Sequence, residues 1–445
     1  MTTKLAPGPL SFPLIGGALQ LRGDPLTRVT SLNREFGGVV LLGDAGGNPL
    51  FLVSSPTAVK HVLQENSKNY IKGKASQRMR PVLGDGLLLL EGEAWLRERR
   101  LVQPAFHRQK IGDVAETITA AAARLVEAWA SKANWPFEIR DEMLRLTMEL
   151  TVRNMFKADI SGEIRDLMDA WQILFDDLSK NRFALASIPR AVPTPGNRRY
   201  AQAIETIDRT LFRLIENARR ATTDDGSLLS LLVGARDEQG GPGLNDKQLR
   251  DELMTLFVGG YETSSNGLAF AFALLSSHPE IARRHRAELD RVLAGRPPTA
   301  ADLANLPYTK QVVEETLRLY PPSWMITREA LGPDQLDGFD VPTGAQILLS
   351  IYATHHDARL WPNPEGYDPE RFRAGAERQR FSFFPFGGGA RLCLGDQYAL
   401  MEMQLVLATV LQRVRLDLLP GTVIAPRAML GLRPRFPLMM TATAQ

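Results

Sequence analysis

The stretch that decides the fold is F-S-F-F-P-F-G-G-G-A-R-L-C-L-G, residues 381–395. An apolar, aromatic run leads into three successive glycines, then Arg391, Cys393 and Gly395. Cys393 is the single cysteine among 445 residues, which excludes intrachain disulfides and multi-cysteine zinc or iron–sulfur sites. Periodic apolar residues from Tyr398 to Val414 predict a buried helix just after the loop. The thiol is therefore expected at the mouth of a helix, below a loop that only glycines fold tightly. A thiolate placed there gains from the helix dipole and from first-turn N–H groups. Glycine on both sides lets a large flat ligand come close to the sulfur.

These are the properties of an axial thiolate for haem iron; a cysteine without such surroundings is ordinarily a small core residue. Phe386, Gly389, Arg391, Cys393 and Gly395 resemble, position for position, the haem-binding loop of the cytochrome P-450 family of haem-thiolate monooxygenases. The resemblance implies haem b ligated by Cys393 and contacted by Phe386, Gly387, Arg391 and Gly395. It further implies a mainly α fold with small β-sheets. In that fold a long central helix lies over the haem, the cysteine loop lies beneath it, and 1–445 forms one catalytic domain.

Bulk properties agree. A hydrophobic content of 44% and a charged content of 23% suit a soluble globular enzyme. A net charge of +3 over this length is too weak to indicate nucleic acid or an anionic membrane as main partner. The chain opens with neither a signal peptide nor a run of about 20 apolar residues. Instead residues 1–20 form a proline-rich arm, Pro7-Gly8-Pro9 then Pro13-Leu14-Ile15-Gly16. A cytoplasmic, anchor-free monomer is expected.

Along the chain, Val39–Val53 reads as two short strands around a Gly/Asn/Pro turn. Tyr70–Gly92 reads as an irregular segment with an exposed run Leu87–Leu90. Helical patterns fill Glu93 to about Ala221, broken at Asn134-Trp135-Pro136 and at Pro189–Pro195. Asp224–Gly243 reads as a polar surface connection. Helices resume as far as Pro321. Short strands are expected in Pro333–Ser350 and extended apolar pieces after Pro420.

Asn245-Asp246 supplies an N-cap, and apolar residues recur from there to Ser277. That predicts one buried helix about 50 Å long. Gly259-Gly260-Tyr261-Glu262-Thr263 sits in its middle, where two glycines cost about 1 kcal/mol each relative to alanine. A glycine pair for close packing, an ion pair for Glu262 and a back-bonded Thr263 would account for each residue singly. Together they resemble the family's dioxygen-activation motif, with Gly259 where alanine is common. The resemblance implies catalytic roles for Gly260, Glu262 and Thr263, with Glu262 and Thr263 delivering protons and Gly259 admitting the haem.

Glu315 and Arg318 share one helix face, and Asp368-Pro369-Glu370-Arg371-Phe372 follows. A lone pair at this spacing is ordinarily a surface ion pair. By resemblance to the family's E-x-x-R and P-E-R-F elements, Glu315, Arg318 and Arg371 form a buried structural network. Trp95 and Arg99 at i, i+4 resemble the family's propionate-binding pair, and Arg328 and Arg391 are further propionate candidates. His355-His356-Asp357 reads as a turn rather than a metal site. No serine-hydrolase elbow or phosphate-binding loop appears.

By resemblance the substrate side draws on Leu83 of the 76–90 loop, Leu256, the turn with Trp324, Met325 and Ile326, and Leu430. Trp324 and Met325 are expected to narrow the cavity. The lining implies a hydrophobic substrate: a terpenoid, fatty acid, steroid or polyketide. Arg78 and Arg80 are candidates to anchor a carboxylate, against an ordinary solvated role. Electrons are expected from a ferredoxin and its reductase, or a flavodoxin-type donor. Arg97, Arg100, Arg108 and Lys110 form either its docking face or a solvated one. The expected reaction is hydroxylation or epoxidation; a peroxide-driven peroxygenase and a non-catalytic haem-thiolate sensor remain as alternatives.

Overall fold

Apolar residues at helical spacing dominate the long middle of the chain, and there the computed structural model is almost wholly helical. It describes residues 4–10, 17, 20–44, 47–106, 114–131, 135–158, 162–181, 188–221, 225–235 and 243–445. Pro13–Gly16, Arg108, Lys110, Asn134, Asp224 and 236–242 lie outside the described residues. The chain packs as two units.

The larger unit comprises Met79–Val313, Leu394–Ile424 and Phe436–Gln445. Among its helices are α1 (Gly92–Val102), α2 (Ile139–Phe156), α3 (Asp246–Gly260), α4 (Glu262–Ser277), the start of α5 (Pro307–Leu319) and α6 (Asp396–Leu411). A three-stranded antiparallel sheet of Phe137–Glu138, Met439–Ala444 and Val414–Leu418 completes it. A capping box starts α3. Asn245 Oδ1 accepts from the Gln248 N–H (2.9 Å), and Gln248 Oε1 accepts from the Asn245 N–H (3.0 Å). Every residue of α4 from Ser264 to Leu275 is buried, as an all-round apolar helix requires.

The single long helix expected from the sequence is instead two helices that meet at Tyr261. Side-chain hydroxyls compete for the backbone carbonyls there. Thr263 Oγ1 donates to the Gly259 carbonyl (2.6 Å), and Thr147 Oγ1 of α2 donates to the Tyr261 carbonyl (2.8 Å). The Tyr261 ring is buried beside Trp171 and Phe175, with centroids 6.4 and 6.0 Å away. Two other expectations change. Leu87 and Leu89 are buried rather than exposed, and the polar connection contains a helix, Leu228–Gly234, anchored by buried Leu228, Leu229 and Leu232.

The second unit comprises Met1–Arg78, Glu314–Cys393 and Ala425–Arg435. Its five-stranded sheet runs β1 (Val39–Asp44), β2 (Pro49–Val53), β5 (Gln346–Leu349), β4 (Ile326–Ala330), β3 (Tyr70–Lys72). β2 and β5 pair in parallel, Leu50 opposite Gln346; the other pairs are antiparallel. Alternation sends Phe51, Val53, Ile347 and Leu349 into one apolar cluster and Leu50, Leu52 and Leu348 into another. The central strand β5 is accordingly buried throughout. The 70–92 segment, expected to be irregular, holds β3 and two short helices, Lys74–Gln77 and Arg80–Leu83. No described helix is long and apolar enough to cross a membrane.

Candidate functional site

The cysteine loop is shaped by its glycines. Gly387 and Gly389 have φ of 73° and 65°, in the left-handed region that favours glycine. At Gly388 a Cβ would stand 2.5 Å from Phe381, and at Gly389 it would collide with the Leu63 carbonyl. The chain then returns so that the Cys393 N–H donates to the Phe386 carbonyl (3.1 Å). Cys393 is exposed, whereas Phe381 and Phe384 behind it are buried. The helix after the thiol begins at Asp396 with Gly395 as its N-cap, so the sulfur lies three residues ahead of the first turn.

The structure brings Glu315, Arg318 and Arg371 together. Arg318 grips Glu315 through Nε (2.7 Å) and Nη2 (2.8 Å), both side chains fully buried. Arg371 Nε reaches the same carboxylate at 3.3 Å. Burial pushes the Glu315 carboxyl up, while Arg318 and Arg371 pull it down. His355 was read from sequence as part of a turn; it ends a short helix, Ile351–His355. Its Nε2 accepts from the Phe384 N–H (3.1 Å), which leaves the proton on Nδ1 to donate to the Arg318 carbonyl (3.1 Å). Full burial holds its pKa well below the ordinary histidine range, so the ring is neutral. His355 thereby ties the start of the cysteine loop to α5, a role with no local sequence signal.

In the larger unit the α3–α4 junction places Gly259, Gly260, Glu262 and Thr263 together. Glu262 is buried and pairs with Arg140 of α2 at 3.4 Å; Arg140 Nε also donates to Asn266 Oδ1 (2.9 Å). Sequence reasoning missed Arg140, because a contact between residues 122 positions apart leaves no local pattern. Gly259 is exposed, and a Cβ there would meet nothing within 4 Å. A Cβ on Gly260 would press on Thr151 Oγ1 at 3.0 Å, so that glycine serves helix packing.

Trp95 and Arg99 lie together, the guanidinium 5.8 Å from the indole centroid. Arg328 is buried on β4 and donates to the Thr327 carbonyl (2.9 Å), and Arg391 is half-buried. The expected substrate-side residues differ in burial. Trp324 and Met325 are 2% and 3% exposed. They pack with Leu26, Val29 and Tyr352, and the Trp324 indole donates to the Met429 carbonyl (3.0 Å). Leu83 is also fully buried and Leu256 nearly so, while Ile326 and Leu430 stay partly exposed. Arg80 is paired with Asp85 (3.0 Å), and Arg78 is exposed.

A second acid was not anticipated. Glu402 of α6 is fully buried, hydrogen-bonded to Ser264 beside Thr263 and 3.4 Å from the Tyr398 hydroxyl, which accepts from Asn154 Nδ2 (2.9 Å). Burial pushes its pKa up to about 7. A lone glutamate in an otherwise apolar helix was the available signal.

These residues fit a haem better than a bare metal ion. Among the described residues no group of three or more His, Cys, Asp and Glu side chains could hold one, whereas a porphyrin brings four nitrogens and needs a single protein thiolate. The exposed thiol on a glycine-shaped loop provides it.

Comparisons with known proteins agree. The Cytochrome P450 family model matches residues 6–439. Cyclooctat-9-en-7-ol 5-monooxygenase of Streptomyces melanosporofaciens is 37% identical over 424 residues, covering 95% of this chain and 91% of that protein. Cyclooctatin synthase of the same organism is 34% identical, covering 96% and 93%. Protein LUTEIN DEFICIENT 5, chloroplastic, of Arabidopsis thaliana is 30% identical, covering 87% and 68%. Among solved structures, the cytochrome P450DA heme domain superposes with a TM-score of 0.90 at 25% identity, covering 100% of this chain and 99% of that one.

Proposed function

The chain belongs to the cytochrome P450 family and is a haem-dependent monooxygenase with a cysteine thiolate ligand, and from that premise we propose that it hydroxylates or epoxidises a cyclic terpenoid. The exposed Cys393 thiol at the end of its glycine-shaped loop carries the reading. The terpenoid class rests on two relatives, one named for oxidising cyclooctat-9-en-7-ol and one named cyclooctatin synthase.

Bound haem supplies the redox-active iron at which dioxygen is reduced. By the family resemblance Cys393 would contribute the anionic donor, and Trp95, Arg99, Arg328 and Arg391 would hold the propionates. The Thr263 hydroxyl, resting on the Gly259 carbonyl, turns outward to hand over a proton. Glu262, held in its ion pair by Arg140, would take a proton from solvent as the pair opens and pass it to Thr263. The arrangement of Glu262 and Thr263 favours dioxygen over peroxide as oxidant, since peroxide brings its own protons. The match over 6–439 supports one catalytic domain. Electrons come from a ferredoxin and its reductase, and the exposed Arg97 and Arg100 offer a basic surface to an acidic donor.

The test is a panel of cyclic terpene alcohols and hydrocarbons, scored by the haem spin-state shift and by NADPH-dependent oxidation with a surrogate ferredoxin and reductase. A shift with a mono-oxygenated product is expected. Product with hydrogen peroxide alone would identify a peroxygenase, and carbon monoxide binding without any turnover would identify a sensor.

A further inference from the structure

The segment Arg80–Leu90 is fastened to α3 more densely than the chemistry above requires. The Asp85 N–H donates to Asp251 Oδ2 (2.9 Å) and the Leu87 N–H to Glu252 Oε1 (2.7 Å). Gly84 and Gly86 lie so close to α3 that a Cβ on either would collide with Asp251. Arg250 Nη1 donates to the Val82 carbonyl (3.1 Å). Beneath this clasp Glu252 meets Glu98 of α1. Both are buried, and their side chains are in hydrogen-bond contact. Glu98 Oε2 and Glu252 Oε2 each receive no donor from the other described residues. Two ionised carboxylates are acceptors only, so a bond between them requires a proton on one.

The surrounding charges are mixed. Asp85 on the segment and Asp251 on α3 oppose ionisation of the pair, and Arg97 on α1 favours it. Lys247 offsets Asp251 (2.7 Å) and Asp85 (3.7 Å), Arg80 pairs with Asp85 (3.0 Å), and Arg250 is shared by Asp251 (3.1 Å) and Asp208 (2.8 Å). The clasp ion pairs therefore neutralise one another, and the buried glutamate pair is left as the titrating element.

We propose that Glu98 and Glu252 share one proton while residues 84–90 are closed on α3, and that this segment is a strap whose opening releases the proton. Burial, then contact with Glu98, pushes Glu252 well above the ordinary carboxylate range when closed. Opening hydrates both carboxyls, which then ionise near about 4.3. The closed state thus holds one proton more than the open state. The opening constant rises about tenfold per pH unit across roughly pH 6 to 8. Opening also uncovers the buried Leu87 and Leu89, an apolar surface for the substrate class proposed above. That last role rests on the monooxygenase reading; the proton count does not.

Hydrogen exchange of the 84–90 amides in the haem-loaded protein tests this, read by mass spectrometry and corrected for base-catalysed intrinsic exchange. The expected open population rises about a hundredfold from about pH 6 to about pH 8 in the wild type. It stays flat in Glu252→Gln, whose amide bonds to Glu98 without titrating. A flat wild-type profile, or a variant that keeps the slope, overturns the proposal. If the variant does not fold, the wild-type slope decides alone. The measurement needs neither substrate nor turnover, so failure of the strap and failure of the monooxygenase reading are distinguishable.

Discussion

Arg318→Lys isolates the network that steadies the cysteine side of the fold. A guanidinium has five N–H donors, and Arg318 uses all of them. Two go to Glu315, two to the His355 (2.9 Å) and Pro364 (2.7 Å) carbonyls, and one to the Gly366 carbonyl (3.0 Å). Lysine keeps the charge but offers three donors from one point, so at least two buried acceptors lose their partner. Each such loss costs about 1–3 kcal/mol, so two cost about 2–6 kcal/mol together. That is a large part of a typical stability of about 5–15 kcal/mol. Urea unfolding followed by tryptophan fluorescence reads the change, and Trp361, whose ring centroid lies 5.4 Å from the guanidinium, reports locally. We expect a loss of about 2–6 kcal/mol for Arg318→Lys. Arg371→Lys, which alters one 3.3 Å contact to Glu315 and one 2.8 Å bond to the Asn363 carbonyl, should cost less. A loss under about 1 kcal/mol for Arg318→Lys would refute the reasoning.

Gly389→Ala should destabilise by about 2 kcal/mol more than Gly375→Ala in the same unfolding assay: both glycines have positive φ, but only Gly389 lacks room for a Cβ. For Glu402, a folded pKa of about 7 against an unfolded value near about 4.3 means that its stabilisation is complete below pH 4 and lost as pH rises towards 7. Glu402→Gln should therefore be more stable than wild type at pH 8, by up to about 3 kcal/mol, with the advantage shrinking toward pH 5. Thermal melts at the two pH values check it. Thr263→Ala should consume NADPH with little product while binding substrate normally; unchanged coupling would count against its proton-delivery role.

The local features were the legible ones. The β1–β2 hairpin, the Asn245 N-cap and the Glu315–Arg318 spacing each depend on residues within a few positions, where propensity and spacing act directly. What stayed hidden depends on distant packing. At the Tyr261 break, Thr147, more than a hundred positions away, shares the Tyr261 carbonyl with the Ser265 N–H, a contact that the apolar pattern says nothing about. Leu87 and Leu89 looked exposed because their cover, α3, lies far along the chain. The packing of Trp324 and Met325 with Leu26 and Val29 joins residues some three hundred positions apart, which an apolar turn read alone does not announce. His355 and Arg140 each carry their roles through two long-range hydrogen bonds, which no periodicity encodes.

The central claim is that one sulfur holds the haem. The reduced, carbon monoxide-bound absorption spectrum of the purified protein, compared with that of Cys393→Ser, tests it most directly. The account predicts the long-wavelength Soret band of thiolate ligation in the wild type and its loss in the variant. A wild type that binds no haem under adequate porphyrin supply, or a variant that retains the thiolate band, would contradict it.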